Sequence, residues 1–170
     1  AALDLATGKV TAAPAPVSQR YTGGRYSSHW SPDGKFLVYG SHRGAYSPMV
    51  GVHTLSIFSV ETGRERELPL NLRRIGRVRW SPDGREILVS AFDSQGRKGL
   101  FRVDARTGET SLVVTAEVGV DLRWGRWSPD GKSVVFIHYD WKKQVNTLVQ
   151  HNLQTSEQKE LGRYPMPEYV

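Results

Sequence analysis

One pentapeptide, Trp-Ser-Pro-Asp-Gly, occurs three times in this chain, at residues 30–34, 80–84 and 127–131, with spacings of 50 and 47 residues. A second signature runs in step with it: Ala6-Thr7-Gly8-Lys9, Glu61-Thr62-Gly63-Arg64, Arg106-Thr107-Gly108-Glu109 and the degenerate Gln154-Thr155-Ser156-Glu157. Two interleaved motifs with a common period of that size belong either to propeller blades or to helical arrays. The flanking residues decide for strands. Each Ser-Pro-Asp-Gly is followed by a β-branched or aromatic run, at 35–39, 85–89 and 132–136, too short and too β-prone for a helix.

The turn chemistry is explicit. Pro pre-sets φ near −65° at the second turn position, Asp is tolerated at the third, and Gly accepts positive φ at the fourth, so Ser-Pro-Asp-Gly predicts a tight hairpin. Trp then ends one strand and the apolar run begins the next. Third strands are expected at 55–60, 100–104 and 148–152, and fourth strands at 65–70, 110–115 and 158–163, after each Thr-Gly turn. Four antiparallel strands per unit, lettered A to D from the axis outward, make a blade, and blades in series make a β-propeller. The expectation is an all-β propeller segment of about three and a half blades. Residues 1–17 supply strands C and D of a leading blade, 18–70, 71–115 and 116–163 are whole blades, and 164–170 begin a further strand A. A ring needs four to eight blades to remove its sheet edges, so this segment is expected either to belong to a longer chain or to close against another copy. Pro14 and Pro16 suit the outer edge strand of the leading blade, since proline cannot donate to a ladder.

The unit Trp-Ser-Pro-Asp-Gly, an apolar strand and a Thr-Gly turn resembles the WD40-like repeat called PD40. That repeat occurs in TolB-type periplasmic propellers, in the propeller half of dipeptidyl-peptidase and prolyl-oligopeptidase relatives, and in propellers attached to bacterial kinases and regulators. The resemblance implies Trp30, Pro32, Asp33, Gly34, Trp80, Pro82, Asp83, Gly84, Trp127, Pro129, Asp130 and Gly131 as repeat-structural residues, and a periplasmic or secreted bacterial protein. It departs from the family where Ser28, Val78 and Gly125 stand two residues before the Trp, a position many family repeats give to Pro. Blades are shared across such proteins and chemistry is not.

Composition removes several chemistries. The 170 residues contain no Cys, which excludes a disulfide framework, a zinc-thiolate site and a thiol nucleophile, and leaves the compartment open. No apolar run approaches the 18 or more residues of a membrane-spanning helix. The first residues, Ala-Ala-Leu-Asp, carry no leader pattern, so any targeting signal is expected to have been removed or to belong to a longer parent.

Charge is unevenly distributed. In a blade the B–C loops and D–A crossovers share one rim, and the segments 18–26, 71–79, 116–126, 42–53, 93–99 and 140–147 hold 13 basic against 4 acidic residues, while the whole chain carries only +6. Arg20, Arg25, Arg43, Arg73, Arg74, Arg77, Lys142 and Lys143 are the candidate contacts on this rim, with Trp141 as an aromatic that could stack on a ligand. The expected partner is a protein or an acidic, anionic ligand. The bland alternative is a solvated rim that keeps the protein soluble. Nucleic acid is disfavoured: the net charge is modest and three of the five Trp residues are assigned to repeat packing. The first blade carries an extra loop at 44–51 on the same rim, read as a binding loop or as tolerated loop length.

No enzyme is expected within the segment. There is no Gly-x-Ser-x-Gly elbow, His-Glu-x-x-His, Walker loop or Gly-x-Gly-x-x-Gly. The five His, at 29, 42, 53, 138 and 151, include no close pair, so neither a metal nor a cofactor is expected. Asp33, Asp83 and Asp130 recur with the period of the turn, and turn geometry accounts for them. The expected function is a non-enzymatic interaction platform, with the gating propeller of a serine peptidase and a sensor propeller of a kinase or regulator as alternatives.

Overall fold

The computed structural model describes residues 2–3, 10–11, 28–41 and 54–165. Within them lie fourteen strands and no helix: β1 (Ala2–Leu3), β2 (Val10–Thr11), β3 (Ser28–Trp30), β4 (Phe36–Ser41), β5 (Thr54–Ser59), β6 (Glu65–Leu68), β7 (Val78–Trp80), β8 (Glu86–Phe92), β9 (Lys98–Asp104), β10 (Thr110–Thr115), β11 (Val120–Trp127), β12 (Ser133–Asp140), β13 (Val145–Asn152) and β14 (Gln158–Pro165). Strands β3 to β6, β7 to β10 and β11 to β14 form three antiparallel sheets, each a plain up-and-down meander, and β1 pairs with β2. The first strands of successive sheets, β3, β7 and β11, lie against one another, so the sheets fan out from a shared inner line. This is an unclosed partial β-propeller.

Every Ser-Pro-Asp-Gly turn is built alike. Gly34, Gly84 and Gly131 adopt φ of +71°, +71° and +70°, and each donates its N–H to the carbonyl of the turn Ser at 2.9 to 3.0 Å. The Ser hydroxyl was not singled out from sequence, yet it organises the turn. Ser81 Oγ donates to Asp83 Oδ1 at 2.6 Å and accepts the N–H of Glu86 at 2.9 Å, while Asp83 Oδ1 also accepts the N–H of Arg85 at 3.1 Å. Ser31 with Asp33, and Ser128 with Asp130, repeat the pattern. The hydrogen bonds from Ser31, Ser81 and Ser128, first among their causes, hold Asp33, Asp83 and Asp130 below the usual carboxylate range.

Two apolar cores separate the sheets. Val38, Leu55 and Ile57 of the first sheet meet Trp80, Ile87, Val89, Phe101 and Val103 of the second. Leu88 and Leu100, on the other face of the second sheet, meet Val120, Leu122, Val134, Phe136 and Val149 of the third. A side chain so buried contributes roughly 1.5–3 kcal/mol. Register makes Val135, Ile137 and Leu148 of the third sheet the counterparts of Leu88, Ser90 and Leu100, and here they are only half-buried, with no further sheet on that face among the described residues. Gly125 has a packing reason: a Cβ there would stand 3.0 Å from Leu88 Cδ2 and 3.4 Å from Leu100.

Three expectations are corrected. Tyr164 and Pro165, read as the approach to a new inner strand, instead extend β14 by pairing with Asn146 and Val145. Packing of the repeat Trp is uneven: Trp80 is 6% exposed but Trp30 is 42% exposed, because Trp80 inserts between two sheets and no sheet covers Trp30 among the described residues. The rim ends of β12 and β13 run longer than the propensity windows, since the two strands pair without interruption from Ser133–Asn152 to Asp140–Val145. The proline-bearing edge at Pro14 and Pro16, the loop 44–51, His42 and His53 lie outside the described residues.

Candidate binding surface on the basic rim

Strand ends set the rim. Phe92 closes β8, Lys98 opens β9, Asp121 and Arg123 lie near the start of β11, Tyr139 lies near the end of β12, and Trp141 follows in the turn. Cations alternate with rings across the junction of the second and third sheets. Arg74 and Lys98 stand 5.7 and 5.9 Å from the Phe92 centroid, and Arg123 lies 4.1 Å from that of Tyr139 and 5.2 Å from that of Trp141. Tyr139 and Trp141 pack edge to face at 4.3 Å. Each exposed cation–ring contact is worth about 0.5–1 kcal/mol, which offsets part of the roughly 1.5–2 kcal/mol that fixing a long cationic side chain costs.

Three acids of the rim, Asp93, Asp121 and Asp140, are engaged. Asp121 is shared between Lys98 and Arg123, with Arg123 Nε at 3.3 Å. Asp93 takes Arg97 at 2.7 Å, and Asp140 takes Lys143 at 3.2 Å while its other oxygen caps the N–H groups of Lys142 and Lys143. Although Lys98 is paired, burial and then the charge of Arg123 hold its ammonium below the usual lysine range. Asp93, Asp121 and Asp140 are thus each paired with a cation at this junction.

Of the residues singled out from sequence, Arg73 and Arg74 meet Phe92; Arg73 exchanges two backbone hydrogen bonds with it, at 2.7 and 2.8 Å. Trp141, 50% exposed, stands in one turn with Lys142 and Lys143, but its ring packs on Arg123 and Tyr139. Arg77 departs from the rim set and lies 5.9 Å from the ring of Trp124 on the inner strands. Arg20, Arg25 and Arg43 lie outside the described residues. Sequence reading missed Lys98, Asp121, Arg123 and Tyr139 as a unit, because their meeting depends on register across two sheets. The available signal was Trp141 at the end of an aromatic-bearing strand. Among the described residues no group of three His, Asp or Glu could hold a metal ion.

No family model matches the chain, and no curated protein does. Solved structures do. A TolB protein from Agrobacterium tumefaciens superposes with a TM-score of 0.63 at 21% identity, covering 85% of this chain and 51% of that one. TolB from Acinetobacter baumannii gives 0.59 at 20% identity, covering 79% and 31%. The β-propeller domain of the trilobed protease from Pyrococcus furiosus gives 0.56 at 13% identity, covering 86% and 44%. The fold thus defines a β-propeller segment of the architecture found in TolB-type proteins and in peptidase propellers. The chain spans about half the length of the Agrobacterium protein and less of the other two.

Proposed function

We propose that the chain is part of a PD40-type β-propeller that serves as a non-enzymatic interaction platform, and that its basic rim receives an anionic partner protein or acidic ligand. The observation that carries the reading is the alternation of Arg74, Phe92, Lys98, Arg123, Tyr139 and Trp141 across two sheets, with one carboxylate, Asp121, shared by two cations. Ordered cations between rings present charge without the full entropic cost of fixing free side chains. TolB-type neighbours support a periplasmic setting as part of this proposal. The remaining blades would come from a parent chain or from a second copy.

The test is binding of poly-L-glutamate to the chain over a salt titration from about 0.01 to 0.15 M, where screening shortens from roughly 30 to 8 Å. Binding should weaken steeply with salt and fall further in Arg123→Ser. An affinity indifferent to both would remove the rim from consideration.

The similarity to a protease's propeller domain favours a second reading, in which the ring gates a serine peptidase. A Gly-x-Ser-x-Gly elbow encoded beside this segment would decide for it, and a further run of blades would decide against it.

A further inference from the structure

The edge of the sheets opposite the basic rim carries the turns β3–β4, β5–β6, β7–β8 and β9–β10. There the first and second sheets part around a cleft of about 380 Å³, in which Phe36, Ile57 and Arg66 of the first sheet stand across from Trp80, Arg85 and Arg106 of the second. Ile57 pairs in register with Val38 and with Arg66, and Phe36 lies two residues before Val38 on β4, so all of these share the face that packs on the second sheet. Phe36 is nonetheless 38% exposed on that face. Both walls are whole four-stranded sheets whose remaining facing residues bury one another.

The repeat supplies its own comparison. In the second sheet the positions of Phe36, Ile57 and Arg66 are held by Glu86, Arg102 and Ser111, on the face toward the third sheet. Glu86 and Arg102 pair there at 3.5 Å, so that junction answers its own charges. At the first junction an aromatic and an aliphatic residue replace that ion pair, and three arginines gather around them. Arg66 bridges the sheets, with Nη2 donating to the carbonyl of Ala105 and Nη1 to that of Arg106 at 3.4 Å. Farther out the sheets touch, since a Cβ on Gly108 would stand 2.9 Å from Pro69 Cδ. Arg85 has only Asp83, at 3.9 Å between exposed side chains, and neither Arg66 nor Arg106 meets a carboxylate among the described residues. Asp104 is the one acid among the described residues that line the cleft, and its Oδ1 accepts the N–H groups of Arg106 and Thr107 and the Thr107 hydroxyl.

We propose that this cleft binds a small aromatic carboxylate, its ring seated on Phe36 and Ile57 beside Trp80 and its anionic end on the wall formed by Arg66, Arg85 and Arg106. An apolar floor rewards burial of a ring, and Phe36 offers it an aromatic partner. Guanidinium groups are planar, fork-shaped donors matched to a carboxylate. Floor and wall share one cleft, so a ligand needs both a ring and a negative charge to use it fully. The site goes beyond the rim reading: it lies at the opposite edge of the sheets, and a ligand there leaves Arg123 and Trp141 free.

Calorimetric titration of the 170-residue chain with hydrocinnamate, with its amide and with acetate tests the site. Hydrocinnamate should bind saturably, and the amide, which keeps the ring without the charge, should bind about tenfold more weakly or worse, as should acetate, which keeps the charge without the ring. Arg85→Gln combined with Arg106→Gln should weaken hydrocinnamate binding by about tenfold. Lys132→Gln with Lys159→Gln, which removes the same formal charge from the third sheet, should change it by less than about twofold. Phe36→Ala should weaken it as well, with circular dichroism unchanged. In NMR spectra the indole N–H signal of Trp80 should move on titration while that of Trp141 stays in place. N-acetyl-alanyl-phenylalanine, titrated alongside, distinguishes a peptide C-terminus from a free acid by which of the two binds more tightly. No saturable binding of hydrocinnamate, equal binding of its amide, or equal losses in the two paired variants overturns the site. The rim reading fails on different evidence, since it rests on Arg123 and poly-L-glutamate.

Discussion

The indole N–H of Trp127 donates to the carbonyl oxygen of Arg79, 48 residues earlier in the chain, at 3.2 Å, and Trp80 makes the same bond to His29 at 3.0 Å. Trp80 and Trp127 therefore each tie their sheet to the one before it, in addition to packing between the sheets. Trp80→Phe keeps most of the buried area and leaves one acceptor without its donor, so a loss of about 1–2 kcal/mol is expected in urea unfolding. Trp30→Phe, at a residue 42% exposed, should cost less than half as much. Equal losses would separate the bond from the stability of the fold.

Turn chemistry makes a second prediction. Ser81 is buried and its hydroxyl both donates and accepts, so Ser81→Ala should destabilise the second sheet by about 1 kcal/mol through the orphaned N–H of Glu86. Gly84→Val, at φ +71°, should cost about 1–2 kcal/mol by forcing a β-branched residue into the left-handed region. Thermal melts unchanged by either substitution would contradict the turn as described.

Acid stability follows from the turn carboxylates. Asp33, Asp83 and Asp130 have folded pKa values depressed chiefly by the Ser hydroxyls, so their contribution is complete above the ordinary carboxylate value and is lost as pH falls below it. Asp83→Asn should flatten the acid limb of a stability profile, and its Tm should vary less than that of the parent between about pH 5 and pH 3.

His29 titrates below the ordinary histidine value. Burial, then Arg79 and then Arg126 depress its pKa, so the neutral ring belongs to the folded state, and stability present above about pH 6.5 declines as pH falls through the folded value. Arg126→Gln should raise the His29 pKa towards the ordinary value, read from its imidazole proton shifts by NMR. A shift in the opposite direction would show that Arg126 does not act on this ring.

At the rim, Asp121→Asn removes the carboxylate shared by Lys98 and Arg123. Binding of poly-L-glutamate should tighten by a few-fold near 0.01 M salt and converge with that of the parent near 0.15 M. Weaker binding at low salt would mean that Asp121 acts by orienting the cations and not by neutralising them.

The fold was legible because period and turn are local. Trp-Ser-Pro-Asp-Gly specifies a hairpin from five adjacent residues, and the β-branched runs beside it specify strands, so β8 and β12 lie where propensity places them and only their far ends differ. Tyr164, where the repeat places the approach to a further inner strand, instead pairs with Asn146 and extends β14, a register that no local residue pattern marks. The candidate sites were less legible for a different reason. Arg123 meets Trp141, and Arg77 meets Trp124, through cross-strand register and a bulge, and neither leaves a mark in a run of neighbouring residues. Lys142 and Lys143, prominent as a basic pair, turn out to be backbone-capped by Asp140.

The indole bonds all point one way along the chain. Trp80 reaches back to the first sheet and Trp127 back to the second, and among the described residues no sheet receives such a bond from an earlier one. A ribosome delivering the chain in order would therefore present each of these two tryptophans to an acceptor that has already been synthesised.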